Sequence, residues 1–158
     1  EIKAEEIQVD EPAILQNPDD MGILLENTQK IAEAAGRSRL LFHVYFGDST
    51  PVYDDMQELP VDGLGLDFTY SPELPDKIER EGSEKELGLG LIDARNTKLE
   101  SSEDIVPLLE RLVPRVEGER AYLNPSCGIE YLPREKAFEK LRNMVEIARE
   151  FRMRGGRS

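Results

Sequence analysis

Polar side chains follow short apolar runs of this sequence, at the points where the runs end. They are Asp10 and Glu11, Asp48, Asp67, Asp93 and Arg95, and the segment from Asn124 to Cys127. A carboxylate binds an ammonium group or a metal ion, and an arginine holds a carboxylate or a phosphate. If the runs are parallel strands, these groups meet at one end of a sheet and form a candidate site there.

The sequence contains a single histidine, His43, and a single cysteine, Cys127. Imidazole and thiolate are the ligands that zinc prefers. A lone histidine at a strand end is nevertheless more often a hydrogen-bonded polar group, and a lone cysteine is more often a small buried apolar side chain. The residue types alone leave both interpretations open.

Five apolar runs predict strands, and helical patterns separate them. The runs span residues 7–9, 40–45, 63–67, 89–92 and 121–123. They are short and do not alternate cleanly between apolar and polar residues, which is typical of parallel strands covered on both faces.

The first helix is delimited by a capping aspartate, Asp19 or Asp20, and by Gly36 beyond its last turn. Its predicted apolar face comprises Leu24, Ile31 and Ala35. Segments 53–59 and 73–81 give weaker helical patterns, because Pro60, Pro72 and Pro75 interrupt them.

Ser101 opens a later helix that Pro107 is expected to shorten or bend. The last helix runs from Arg134 onward with an apolar period of 3.6 residues. The residues of that face are Ala137, Phe138, Leu141, Met144, Val145, Ala148 and Phe151.

Alternating strands and helices predict an α/β protein with a parallel sheet. An open doubly wound sheet and a closed (β/α)8 barrel both agree with the pattern, and both place their sites at the carboxyl ends of the strands. A complete barrel needs about 250 residues, so five strands in 158 residues correspond to part of one.

Composition excludes several classes of partner. The net charge is −13, which repels a nucleic-acid backbone or an anionic membrane. No apolar stretch approaches the ~20 residues of a transmembrane helix, and the acidic start Glu1–Glu6 does not predict a signal peptide. A single thiol favours a reducing cytoplasm.

Several strings read together resemble the cobalamin-independent methionine synthase family. They are IQVDEPA from residue 7, YFGD from residue 45, LPVDGLGLD from residue 59, GLIDARN from residue 90, NPSCG from residue 124 and KLRNMV from residue 140. The resemblance covers about residues 6–152 and implies a TIM-type (β/α)8 barrel of which only the later β/α units are present. It predicts a partial-barrel domain over residues 1–152 and a flexible basic tail over 153–158. Features of the family's catalytic barrel and of its diverged amino-terminal barrel are mixed in this chain.

The resemblance implies a zinc site formed by His43, Asp67 and Cys127. Tyr45 stands where the family has a second cysteine, and Asp67 stands where it has a glutamate. In the family, zinc binds the homocysteine sulfur as a thiolate, which keeps this nucleophile deprotonated.

The resemblance also assigns substrate contacts and catalytic positions. It implies that Asp10 binds the substrate's amino group, the alternative being a cap on the following turn. It places Glu11 either beside the substrate or in a surface role. Asn124 and Ser126 are assigned to substrate binding, and they also shape the last loop. Arg95 occupies the position of a proton-donating histidine, and Asp93 precedes it. Because arginine does not release its proton near neutral pH, the alternatives for this pair are an anion site and a local ion pair.

Two functions follow from the resemblance. The first is methyl transfer from a methyltetrahydrofolate-type donor to homocysteine, forming methionine. The alternative is a non-catalytic barrel that supports a separately encoded catalytic barrel; a related thiol or cobamide methyltransferase is a weaker third possibility. Because half a barrel leaves strand edges unpaired, we expect the chain to pair with the missing half or to self-associate.

Overall fold

The computed structural model of the chain describes residues 4–155. Residues 1–3 of the acidic start and residues 156–158 of the predicted basic tail lie outside the described residues. The last helix extends to Gly155, three residues beyond the predicted domain limit.

Five parallel strands form one sheet in which the spatial order equals the chain order. They are β1 (Glu6–Asp10), β2 (Arg39–Val44), β3 (Gly63–Asp67), β4 (Glu86–Ile92) and β5 (Ala121–Pro125). A doubly wound sheet reverses its strand order at a switch point, whereas a barrel adds each new strand on the same side of the last. The uninterrupted order therefore identifies an arc of a (β/α)8 barrel, as the resemblance implied.

All five predicted helices are present. They are α1 (Met21–Ala35), α2 (Tyr53–Gln57), α3 (Leu74–Glu81), α4 (Ser102–Leu112) and α5 (Arg134–Gly155). Ser101 caps α4 by accepting a hydrogen bond from the Asp104 amide at 3.2 Å, and the helix continues through Pro107. Within residues 4–155, no helix combines the length and the apolar character needed to cross a membrane.

The hydrophobic core lies between the convex face of the sheet and the helices. Alternate residues of β2, namely Leu40, Phe42 and Val44, are buried in it. Their neighbours in sequence, such as His43, face the concave side and line cavities there. The barrel axis therefore lies on the concave side, where polar side chains and glycines collect.

The predicted cap and face of α1 need correction. Asp20 precedes the helix without a side-chain capping hydrogen bond, because Pro18–Asp20 form a 3-10 turn that leads into α1. Ile31 is 38% exposed, and the fully buried residue of the helix is Thr28, whose hydroxyl donates to the Leu24 carbonyl at 2.8 Å.

The predicted apolar face of α5 is only partly buried. The helix buries Lys140 and Ile147, while Phe138 is 64% exposed and Val145 is 42% exposed. Leu141 lies on the same exposed stripe at 36%. Because α5 is the helix that follows β5 at one end of the arc, a further barrel unit beside β5 is the natural neighbour to cover this stripe.

Candidate functional site

A cavity of about 300 Å³ opens at the carboxyl ends of the strands, on the concave side. Predicted site residues contribute five of its lining side chains, which are Asp10, His43, Asn124, Ser126 and Cys127. The structure thus brings together five residues that sequence reasoning singled out, although they lie up to 117 positions apart, from Asp10 to Cys127.

Asp10 ends β1 beside His43 of β2, and the two residues are direct partners in the strand register. The Asp10 carboxylate is exposed, and its Oδ1 accepts a hydrogen bond from the Gln8 side chain at 2.8 Å. Its remaining acceptor positions are available to a ligand in the cavity. Burial lowers the pKa of His43 despite the opposing charge of Asp10, so the imidazole is neutral at neutral pH.

Glycines make room for the larger side chains of the cavity. A Cβ atom at Gly65 would lie 2.4 Å from the His43 ring, and one at Gly88 would lie 2.6 Å from the Asn124 side-chain nitrogen. The imidazole and the amide therefore lie directly over the glycine backbone of β3 and β4. In the sequence, this glycine surface is indicated by glycine at every second position of β3 (Gly63 and Gly65) and of β4 (Gly88 and Gly90).

Asp67, at the end of β3, is fully buried and binds Arg95. Its Oδ2 accepts from Arg95 Nη1 at 3.2 Å and from the Phe46 amide at 3.3 Å. Its Oδ1 accepts from the Thr69 amide at 2.9 Å and from the Thr69 hydroxyl. The carboxylate therefore links the loops that follow β2, β3 and β4 through these hydrogen bonds.

Arg95 also binds Asp93 and stacks on an aromatic ring. Its Nε lies 3.0 Å from Asp93 Oδ1, and its guanidinium carbon lies 4.2 Å from the centre of the Tyr70 ring. Burial alone would lower the pKa of Arg95, but the negative charges of Asp67 and Asp93 outweigh it and the pKa is raised. Of the two alternatives for this pair, the structure contains the local ion pair.

Lys140 is a buried charged residue, close to the loop of Asp93 and Arg95, that sequence reasoning missed. This lysine of α5 is fully buried, and its ammonium donates to the carbonyls of Asn96 (3.1 Å) and Lys98 and pairs with Glu100 at 3.1 Å. Glu100 in turn accepts the Asp93 amide at 3.0 Å. The sequence signal for its burial was that Lys140 lies on the same helix face as Met144 and Ile147.

Ser126 and Cys127 have structural partners beside the cavity. The Ser126 hydroxyl accepts from the Ala94 amide at 3.2 Å, and its own amide donates to the Ile92 carbonyl at 2.7 Å. The Cys127 thiol is half-buried and lies 3.6 Å from the Gly128 carbonyl. Burial raises the pKa of this thiol, which keeps it protonated at neutral pH.

Glu11 does not reach the cavity that Asp10 lines. Its Oε1 accepts from the Ala13 amide at 3.0 Å and caps the turn Pro12–Leu15. The side chain lines a separate depression of about 210 Å³ beside α1. The substrate-binding prediction for Glu11 is thus not matched by its position, whereas Asp10 is free of the capping role.

The predicted zinc set of His43, Asp67 and Cys127 is not assembled. Within residues 4–155, no group of three or more His, Cys, Asp or Glu side chains lies close enough to hold a metal ion. The physical reason is that the Asp67 oxygens are directed to Arg95, Phe46 and Thr69. Burial also raises the pKa of Tyr45, which stands at the position of the family's second cysteine, so its phenol stays protonated. These residues do not fit zinc.

Phe46 has a strained backbone conformation beside the site. It has a φ of 65°, the left-handed region that aromatic residues rarely occupy. Its amide binds Asp67, and its exposed ring contacts Tyr45 edge-on with the ring centres 4.8 Å apart. The sequence places a glycine next to it, at Gly47, where a Cβ would instead collide with Leu15 at 2.7 Å.

Known proteins similar to this chain are methionine synthases. Over 140 residues it is 34% identical to the methionine synthase of Pyrococcus horikoshii, covering 89% of this chain and 41% of that protein. Over 146 residues it is 38% identical to that of Methanothermobacter marburgensis, covering 92% of this chain and 47% of that protein. The chain therefore spans a little under half the length of these relatives.

A solved structure confirms the fold. A B12-independent methionine synthase from Shewanella sp. W3-18-1, in complex with selenomethionine, superposes with a TM-score of 0.71 at 20% identity. The match covers 95% of this chain and 49% of that one. The cobalamin-independent synthase catalytic domain, as a sequence family, matches residues 3–150. The chain therefore belongs to the cobalamin-independent methionine synthase family.

Proposed function

We propose that this chain is part of a methyltransferase of the methionine synthase type and supplies the later β/α units of its barrel. The reaction moves a methyl group from the nitrogen of a methyltetrahydrofolate-type donor to the sulfur of homocysteine. A carbon–sulfur bond forms, the carbon–nitrogen bond breaks, and the thiol proton is transferred in net to the donor nitrogen. The single thiol of the sequence supports a reducing cytoplasm as the compartment.

The observation that carries the proposal is the cavity at the carboxyl ends of the strands. In barrel enzymes the site is built at this end. The exposed Asp10 carboxylate projects from the end of β1 and is suited to the ammonium group of an amino acid. The Shewanella relative was solved with selenomethionine, the selenium analogue of the product.

Completion of the barrel is the second part of the proposal. Within the described residues, β1 and β5 each pair with one strand only, so the arc has two open parallel edges. Near the β5 edge, a cavity of about 450 Å³ is lined by apolar side chains that include Leu123, Met144 and Phe151. At the other end of the arc, α1 exposes Ile23 at 60%. Three further β/α units would pair both edges and cover these side chains.

Without those units, we expect the chain to self-associate. Unpaired strand edges and an exposed apolar stripe both favour contact between copies. Sedimentation velocity should show species larger than a monomer, and Phe138→Glu should shift the distribution toward monomer. Lys136→Glu, an exposed change on the same helix, should leave the distribution as it is. A monodisperse monomer at all concentrations would contradict this expectation.

Asp10→Asn tests the substrate contact in a completed barrel. The remainder of the Methanothermobacter marburgensis barrel, fused to the amino side of this chain, supplies the missing units. Losing one charge-assisted hydrogen bond to the substrate ammonium should raise KM for homocysteine by roughly 10- to 100-fold. The control is Asp48→Asn. Asp48 also follows a strand, but it does not line the cavity. It is exposed and accepts the Thr50 amide at 2.9 Å, which asparagine can also accept. Equal KM values for the two variants would remove Asp10 from the substrate site.

The Arg95–Asp67 ion pair favours a second candidate, a non-catalytic barrel that supports a catalytic one. In that case the completed barrel binds no homocysteine, and a separately encoded barrel should copurify with it. Calorimetric titration of the fused protein with homocysteine separates the two candidates, since only the methyltransferase should release or absorb heat that Asp10→Asn abolishes.

A further inference from the structure

Arg95 is the one cation that contacts the buried Asp67 carboxylate among the described residues. Its guanidinium also binds Asp93 and the Thr69 hydroxyl, and it lies over the Tyr70 ring. Its side chain is 24% exposed while that of Asp67 is 0% exposed. The positive charge is therefore fixed at one point by groups from β3 and β4 and their loops.

Asp67 has no acceptor position left for a metal ion. A carboxylate offers about four lone-pair sites, and four donor atoms occupy them. These are Arg95 Nη1, the Phe46 amide, the Thr69 amide and the Thr69 hydroxyl. A zinc ion bound to Asp67 would have to displace at least one donor from a buried group, at a cost that rises with burial.

The positive charge of Arg95 also disfavours a metal ion at Asp67. Arginine keeps its proton in proteins, so a divalent ion coordinated by Asp67 would lie a few ångströms from a permanent positive charge. Like charges at such a separation disfavour each other strongly outside bulk water. The guanidinium already neutralises the carboxylate that the metal would need.

We propose that Arg95 supplies the cation of this strand-end cluster, so that the cluster is metal-free in a family whose members bind zinc there. The predicted ligand set does not assemble, and Arg95 instead supplies the positive charge that neutralises Asp67. A metal-free cluster would lack the zinc that the resemblance implies for holding homocysteine as a thiolate, so this proposal bears on the choice between the two candidate functions. Its tests stand apart from methyl transfer, because metal content and thermal stability are measured without substrate.

The first test is the zinc content of the purified protein after incubation with zinc sulfate and desalting. Elemental analysis should find well below about one zinc per chain, the stoichiometry of a single protein zinc site. Zinc that persists unchanged in both Asp67→Asn and Cys127→Ser lies elsewhere and also agrees with the proposal. A content of about one per chain that is lost in either variant would overturn it.

The second test removes the cation. Arg95→Gln leaves Asp67 buried and unpaired, and we expect the melting temperature to fall by roughly 6–12 °C. Asp67→Asn combined with Arg95→Gln should recover part of that loss, because the buried charge is gone. Arg111→Gln is the control, since Arg111 binds Asp76 and Glu79 at the surface and its loss should change the melting temperature little.

If zinc raises the melting temperature of the unmodified protein, and Arg95→Gln behaves like Arg111→Gln, then Arg95 is not the cation of the cluster. If Arg95→Gln does not fold, the zinc measurement on the unmodified protein decides.

Discussion

Lys140→Met is expected to lower the free energy of unfolding by about 3–5 kcal/mol, the cost of breaking a buried ion pair by removing one partner. Methionine preserves much of the volume of the lysine stem but removes the ammonium. The carbonyls of Asn96 and Lys98 then lose their donor, and Glu100 stays as an unpaired, mostly buried charge. Denaturation in urea followed by circular dichroism measures the change.

Lys136→Met provides the matched control on the same helix. Lys136 is 48% exposed and pairs only with Glu139 at the surface, so its loss should change stability little. Amide hydrogen exchange should also accelerate in residues 93–100 of the Lys140 variant alone. Equal stability of the two variants would mean that Lys140 does not hold the loop of Asp93 and Arg95.

Gly90→Ala is expected to destabilise the sheet by about 3 kcal/mol, at the upper end of the usual cost of overpacking. A Cβ atom at Gly90 would lie 2.4 Å from the Leu66 carbonyl oxygen and 3.1 Å from Ser126 Cα. Both neighbours are backbone, so β3 and the segment directly after β5 must move. Because Gly90 pairs with Asp67 and with Asn124, the movement also displaces two site residues.

Gly22→Ala is the control for this substitution. Gly22 lies in α1 and has no atom within 4 Å of an added Cβ, so alanine should be neutral or slightly stabilising there. Urea midpoints of the two variants give the comparison. Tolerance of alanine at Gly90 would contradict the close approach of β4 to its neighbours.

The strands were predictable because their apolar runs are bounded by turn residues, but their ends were not. β4 begins at Glu86, three residues before the predicted start at Leu89. A charged residue argues against a buried strand, yet Glu86 is buried at 3% exposure because Arg39 and Arg120 pair with it. Both arginines come from distant parts of the chain, so this compensation is not visible in local sequence.

The start of α3 was not predictable from its prolines alone. The sequence pattern predicts that Pro75 interrupts a helix, whereas Pro75 occupies the first turn of α3, where a missing amide costs nothing. The exposed stripe of α5 has a different cause. Its apolar period predicts a face that is buried in a complete barrel, whereas residues 4–155 leave Phe138 64% exposed.

The location of the site was predictable, but its internal partners were not. Side chains after parallel strands must meet at one edge, which places Asp10, His43 and Cys127 around one cavity. Which oxygen meets which donor depends on strand register and loop shape. The pairing of Asp67 with Arg95 spans 28 positions and engages the carboxylate that the resemblance assigns to zinc.

The central claim, that this arc forms a methionine-synthase-type site when the barrel is completed, is tested most directly by one measurement. It is the rate of methionine formation from homocysteine and methyltetrahydrofolate by the fusion with the remainder of the Methanothermobacter marburgensis barrel. Our account predicts a monomeric, cooperatively folded fusion that forms methionine, while the unfused chain forms none. A fusion that is monomeric and folded but forms no methionine would contradict the account.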